Sequence, residues 1–542
     1  MRKLFTLITV TLITGSVFAG GLVTNNNHSA MFTRLQNRNA STNIDAVFFN
    51  PAGLTKLGDG LFISVNNQIV RQTKTVQSDY LYLSGSKPRE YVGKVKANMY
   101  PGIYAAFNTG NLSFSAGFNP IGGGGGATYE DGLPSFESQV AELVPLLVDN
   151  DIPTSQYSAD IRFEGSSIYL GFQGNVAYKV SDMLSVAAGL RVVSAKNITK
   201  DSYITNMRIN PNYPAFGLAY TGDMVFARDF FTSGSATLAT LSAGATAWSN
   251  GLQPYVETYG STLLTDLAGT VFTTDQITQI QTILGAAGLS PEQIGQATIG
   301  SAQTVLGLAA PQFAEQSGEM AAYAAMTQDR HVDIEQTGLG FTPILSLNFS
   351  PLENLNIALK YEFKTKLDLT TKVIDGKDGG GLYIQDSVSI ADLPAILSAG
   401  VEFRPVDRLL LAGSFNCYFD KKVDYDGQSD VNINKIDKNF LEYGLGAEYG
   451  INDRFRVSAG WSATRTGVNS NYQSDLTYST NTNSFGAGIG YRITDMIDFN
   501  IGGQYTFYKD GSKSFIRLSP ITETYSKSTW VLGAGLDFYF GK

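Results

Sequence analysis

Side chains able to do covalent or metal chemistry are scarce in this chain. His28 and His331 are its two histidines and Cys417 its one cysteine, in 542 residues. A hydrolase needs a nucleophile, a base and an orienting group. Only the two histidines could supply the base, and neither Gly-x-Ser-x-Gly nor His-Glu-x-x-His occurs. A single cysteine makes no intramolecular disulfide and no multi-cysteine metal site. An enzyme is therefore not expected, and neither is a metal or cofactor. The net charge is −9 with no Lys/Arg run, which argues against nucleic acid as a partner. What remains is recognition of charge. Arg191 and Lys360 each lie on the face opposite an apolar stripe, and either could hold a ligand carboxylate through a charge-assisted hydrogen bond. The competing reading is internal pairing, Lys360 with Glu362 or with an N-terminal carboxylate such as Asp45, the commoner fate of such charges. Arg404, Arg456 and Arg492 also face inward, nearer a rim.

Those faces belong to strands. Leu184, Val186, Ala188, Leu190 and Val192 alternate with Ser185, Ala187, Gly189, Arg191 and Val193, a period of two with the charge on the small, polar side. Likewise Ile357, Leu359, Tyr361 and Phe363 alternate with Lys360 and Glu362. Such runs recur near 60–72, 98–108, 111–119, 166–180, 183–196, 338–350, 354–371, 393–405, 408–423, 439–451, 454–466, 483–494, 496–509 and 529–540. This makes about fourteen strands, an even number, most of them long enough to cross a bilayer at a tilt. Short turns such as Asn108-Thr109-Gly110-Asn111, Ser181-Asp182-Met183 and Asn452-Asp453-Arg454 alternate with longer connections. Tight turns on one side and long loops on the other are the asymmetry of a transmembrane antiparallel up-and-down β-barrel. Nothing downstream of the N-terminus is a run of about twenty apolar residues. The mean hydropathy of −0.05 suits a wall in which alternate residues face lipid.

Residues 1–19 read as a signal peptide, with Arg2 and Lys3, an apolar run Leu4 to Ile13, and cleavage expected after Ala19. Residues 20–59 do not alternate, and Val47-Phe48-Phe49 within them favours burial in the lumen over a dangling arm. The barrel is expected over 60–542. Two loops, 120–165 and 197–337, are long enough to have structure of their own. Helical spacing appears at Val140, Leu143, Val144 and Leu147, and at Ile277, Ile280, Ile283 and Leu284, with a second start at Ser290-Pro291-Glu292 and Ala-rich sequence to 326. Such helices could form a packed lid or a lid that also binds ligand.

The segment Asn39-Ala40-Ser41-Thr42-Asn43-Ile44-Asp45-Ala46-Val47-Phe48-Phe49-Asn50-Pro51-Ala52-Gly53-Leu54 resembles the N-terminal plug of the FadL/TodX outer-membrane transporters. In that family an Asp-Ala pair precedes Asn-Pro-Ala, and Gly-Leu often follows. Close likeness is confined to the plug, and the second long loop is larger than the family's. The resemblance implies a monomeric barrel in a Gram-negative outer membrane, inserted there by the assembly machinery. It implies uptake of a fatty acid or aromatic hydrocarbon by external capture, lumenal binding, plug movement and lateral release into the membrane lipid. Gating is thereby assigned to Asp45, Ala46, Phe48, Phe49, Asn50, Pro51, Ala52 and Gly53. The lateral opening needs a kink in the third strand. Leu112 to Asn119 runs into Pro120-Ile121 and Gly122 to Gly126, which composition alone reads as a loop start or a bend. The resemblance favours a kink at Asn119, Pro120, Gly122, Gly123 and Gly124. Rival readings are an open porin, an adhesin or, less favoured, a barrel enzyme.

Overall fold

The computed structural model describes residues 24–25, 27–213, 220–423 and 435–541. The expected signal peptide 1–19 and the first residues of the plug lie outside them. The described residues fall into two compact units, one within 14–136, 161–203 and 330–542, the other within 137–160 and 204–329.

The first unit is a closed barrel of fourteen antiparallel strands. They are β1 (Gly60–Ser78), β2 (Arg89–Ala97 and Pro101–Thr109), β3 (Leu112–Tyr129), β4 (Tyr157–Lys179), β5 (Leu184–Ile209), β6 (Arg330–Leu352), β7 (Leu355–Glu362 and Asp368–Asp378) and β8 (Val388–Ile390 and Ile396–Val406). Then come β9 (Leu409–Tyr418), β10 (Phe440–Gly450), β11 (Phe455–Arg465), β12 (Thr482–Thr494), β13 (Ile497–Tyr508 and Gly511–Ile516) and β14 (Pro520–Gly541). Neighbours in sequence are neighbours in the sheet. The ladder from Gly60↔Gly541 to Ser78↔Glu523 joins β14 to β1, so no edge is left to template another chain. The period-two pattern decides which face is which: Leu190 is 48% exposed and Arg191 3%. The outer wall carries the apolar residues, as a barrel in lipid requires. The tight turns fall where the sequence put them, between β2 and β3, β4 and β5, β6 and β7, β8 and β9, β10 and β11, and β12 and β13.

The third strand does not end at Asn119. It continues to Tyr129 along β4, with register shifts at Pro120/Gly122 and Gly122/Gly125. Glycine makes this feasible, since Gly123 (φ 98°) and Gly125 (φ 67°) take backbone conformations that other residues avoid. The connections are correspondingly shorter than 120–165 and 197–337, because β4 starts at Tyr157, β5 runs to Ile209 and β6 starts at Arg330. The seventh run is also interrupted, between Glu362 and Asp368.

Inside this unit lie α1 (Ala30–Leu35), α2 (Ala46–Phe49) and a 3₁₀ turn, Pro51–Lys56. Ser29 caps α1 by accepting from the Phe32 amide, and Pro51 starts the 3₁₀ turn where no amide donor is needed. Val47, Phe48 and Phe49 are all buried, in one cluster with Phe32, Ile44, Leu54 and the inward Phe62, Tyr104 and Ile121 of the wall.

The second unit is helical. Helical residues near 140–147 form α3 (Pro134–Ala141), which starts just before the unit's first residue, and α4 (Leu143–Asp149). The larger insertion folds as α5 (Ala227–Leu252), α6 (Val256–Tyr259), α7 (Thr274–Ala286), α8 (Pro291–Gly295) and α9 (Ile299–Met326). Reciprocal capping boxes at Thr273/Gln276, Ser290/Gln293 and Thr298/Ser301 start the last three. Helix α5 has no counterpart among the sequence-based expectations. Its Ser/Thr/Gly content is poor for helix, and it is held by packing on α9, where Ser242 donates to the Ala310 carbonyl (2.8 Å) and Ser235 to the Ser317 carbonyl (2.9 Å).

Candidate functional site

The N-terminal segment is fixed in the lumen by buried charge. Arg38 Nε and Nη2 donate to the two Asp45 carboxylate oxygens, both at 3.0 Å, and Nη1 donates to Glu402 on β8 at 3.1 Å. Ser41 and Ser29 also donate to Asp45, at 2.6 and 3.0 Å. Burial opposes ionisation of Asp45, but Arg38 and the serine hydroxyls outweigh it and hold the carboxyl below its usual range. Arg34 pairs with Glu448 and donates to Asn500 (2.9 Å) and Ser458 (2.9 Å). Asn50 donates to the Ser41 carbonyl (3.0 Å) and to Asn348 on β6 (2.7 Å), and Ser346 donates to it (3.2 Å). The Asn50-Pro51 step thus joins the plug's own fold to the wall. Gly53 lies so close to Asn50 and the Ser41 carbonyl that a Cβ there would collide with both.

The wall makes room for this segment. A Cβ on Gly460 would strike the Leu35 carbonyl, and one on Gly400 would strike the Asn39–Ala40 backbone. These inward glycines were legible in the sequence as strand residues but not as plug contacts.

Arg191 and Lys360 come together in the lumen, and both are paired. Arg191 makes a bidentate contact with Glu362 (2.6 and 3.1 Å) and donates to Gln173 (2.9 and 2.6 Å). Lys360 donates to Glu362 (2.7 Å) and to the Phe48 carbonyl (2.8 Å). Its partner is thus Glu362 and not Asp45, which Arg38 occupies. Both cations also lie over the Phe48 ring, 4.6 and 4.7 Å from its centroid. Two cations against one carboxylate leave a net positive charge, beside a small cavity of about 30 Å³ lined also by Phe49, Ile121, Leu393 and Tyr418. Nearer the turns, Arg456 (2.7 Å) and Arg492 (3.3 Å) share Asp498.

The wall itself is broken between β2 and β3. Their ladder runs from Thr109↔Leu112 to Ile103↔Phe118 and resumes only at Val95↔Ala127. Asn119 to Gly126 therefore lacks a ladder partner on its β2 side. Unpaired backbone is costly when buried, and the plug's leading end supplies part of what is missing. Thr24 bridges Gly122, and the Asn25 amide donates to the Ile121 carbonyl at 3.0 Å. Tyr100 Oη donates to the Pro120 carbonyl at 2.7 Å. Asn119, Pro120, Gly122, Gly123 and Gly124 all fall in this break.

His28, noted in the sequence only as a candidate base, joins the break to the cation cluster. Its Nδ1 accepts from Asn119 Nδ2 at 2.7 Å, and its ring lies 3.8 Å from the Phe48 ring. Burial first, then the charges of Arg191 and Lys360, push the imidazole well below its ordinary range, so it is neutral. No group of three or more potential metal ligands occurs among the described residues.

No protein-family model and no curated protein matches the chain. Solved structures do. A Pseudomonas aeruginosa FadL homologue superposes with TM-score 0.55 at 12% identity, over 96% of this chain and 98% of that one. The Pseudomonas putida toluene transporter TodX gives TM-score 0.47 at 14% identity over 93% and 95%. The Ralstonia pickettii toluene transporter TbuX gives 0.43 at 15% over 92% and 94%. At such identities likeness is a matter of fold, and the first of these carries it: the chain has the fold of the FadL homologue.

Proposed function

We propose that the chain is an outer-membrane transporter of the FadL/TodX family that takes up hydrophobic compounds, with long-chain fatty acids the favoured cargo. On this reading residues 1–19 are a signal peptide, 20–59 a plug and 60–542 the barrel, monomeric and without enzymatic activity. Ligand captured outside moves into the lumen toward Phe48, where movement of the plug makes room and the net positive charge of Arg191 and Lys360 receives a carboxylate. Plug rearrangement around Asp45 to Gly53 then opens the break at Asn119 to Gly124, and the ligand leaves sideways. A greasy molecule prefers lipid to periplasmic water, so a lateral exit spares it the aqueous route.

The observation that carries this reading is the break in the ladder between β2 and β3, occupied by the plug's own leading residues. A porin or adhesin has no use for such a break. Replacing Pro120 and Gly122 to Gly126 with strand-forming residues should abolish uptake of radiolabelled dodecanoate into cells while leaving a heat-modifiable, folded barrel. Uptake at the unaltered rate would contradict the lateral route. Low ion conductance in planar bilayers is expected of a plugged transporter, and high steady conductance would favour the porin reading.

A further inference from the structure

A second pair of cations faces the lumen, far along the strands from the tight-turn end. Lys74 on β1 and Lys527 on β14 are direct partners in the closing ladder. Both line a cavity of about 390 Å³ with mixed walls, Phe32, Val95, Phe163 and Val531 beside Gln72 and Thr482. Like charges directly opposite each other destabilise an antiparallel pair, and withdrawal from bulk water adds a desolvation cost.

Nothing acidic among the described residues offsets the pair. Lys527 donates to the Tyr478 carbonyl (2.7 Å) and lies 4.1 Å from that ring's centroid. Lys74 has no ion-pair partner among the described residues. Two acids line the same cavity and are engaged elsewhere: Asp475 accepts from the Ser135 amide (2.8 Å) and Glu442 from Asn416 (3.0 Å). This is unlike Arg191 and Lys360, which share Glu362. The pair also borders the wall break, since a Cβ on Gly124 would sit 3.8 Å from Lys74 Nζ.

We propose that Lys74 and Lys527 form an anion subsite beside the wall break that takes the carboxylate of an amphiphilic cargo while the apolar side chains of the cavity wall, Phe32, Val95, Phe163 and Val531 among them, take its chain. The assignment rests on the transport reading above. Two ammonium groups side by side can each donate to one oxygen of a single carboxylate, and a bound anion relieves their repulsion. The cargo at this station is then a hydrophobic monocarboxylate rather than a neutral hydrocarbon.

The test compares dodecanoate with dodecanol, equal in chain and different in charge, for binding to the purified full-length protein and for uptake by cells. K74Q/K527Q should weaken dodecanoate binding about tenfold or more, as loss of hydrogen bonds to a charged group would, and leave dodecanol unchanged. K74R/K527R, which keeps both charges, should retain most dodecanoate binding. The single variants K74Q and K527Q should each lose part of it, which covers a double variant that does not fold. If wild-type protein takes both probes and the glutamine variants match it, the lysine assignment is overturned and transport stands. If wild-type protein takes neither, transport fails and the subsite with it.

Discussion

Thr24 and Gly122 form an antiparallel bridge, so the leading end of the plug sits as a surrogate strand in the break of the barrel wall. The same break begins at Asn119, whose side chain holds His28, whose ring packs on Phe48, over which Arg191 and Lys360 lie. A chain of direct contacts therefore runs from the gap to the lumenal charge cluster. Occupation of one end has a physical means of moving the other, provided the plug has a second arrangement.

His28 is the middle of that chain and carries no net charge. H28A should keep the barrel folded, because no strand ladder involves the ring, but it should uncouple the break from Phe48. The expected outcome is a severalfold loss of dodecanoate uptake with binding to purified protein little changed. Equal losses of both would mean that His28 only shapes the binding volume.

Asp45 holds the plug's internal fold by neutralising Arg38. D45A leaves Arg38 buried with Glu402 as its remaining carboxylate, and breaking a buried pair in this way costs about 3–5 kcal/mol. The barrel ladder is untouched, so the loss should fall on the plug. Planar-bilayer conductance should rise from near zero to porin-like openings, and protease should reach the N-terminal segment. Conductance equal to that of the unaltered protein would show that Asp45 is dispensable for plugging.

Gly460 predicts the same phenotype from the other side. G460V drives a side chain into the Leu35 carbonyl, whereas a Cβ on Gly174 would come no nearer to its surroundings than 4.0 Å, from the Ser115 carbonyl, so alanine should be silent there. Conductance should rise for G460V and stay low for G174A. A silent G460V would mean that the plug seats elsewhere.

The sequence reaches some of this and misses the rest for identifiable reasons. Alternation in runs such as Leu184–Val193 and Ile357–Phe363 is a direct consequence of one wet and one lipid face, so the strands and their inward cations were legible. Val47-Phe48-Phe49 demanded burial for the same reason. Pairing of Lys360 with Glu362 was legible because the two lie two residues apart on one face. Arg191 reaching the same Glu362 was not, since that contact spans strands distant in sequence. Pro120 and the glycines marked an irregularity, yet glycine tolerates both a loop and a bulged strand, and only the ladder with β4 decides between them. Lys74 and Lys527 drew no attention because their juxtaposition exists only once the first strand closes on the last. Helix α5 hid behind Ser, Thr and Gly, whose weak propensity is overridden by packing on α9.

The central claim is that the plug's leading end must leave the wall break for cargo to pass. Replacing Cys417 by Ser removes the native thiol, and T24C/G122C then places two thiols across a bridge whose Cα spacing suits a disulfide. Uptake of dodecanoate by cells carrying this variant should be abolished when the disulfide is formed and restored by reductant, with the barrel folded throughout. Uptake at the full rate in the cross-linked state would contradict the account.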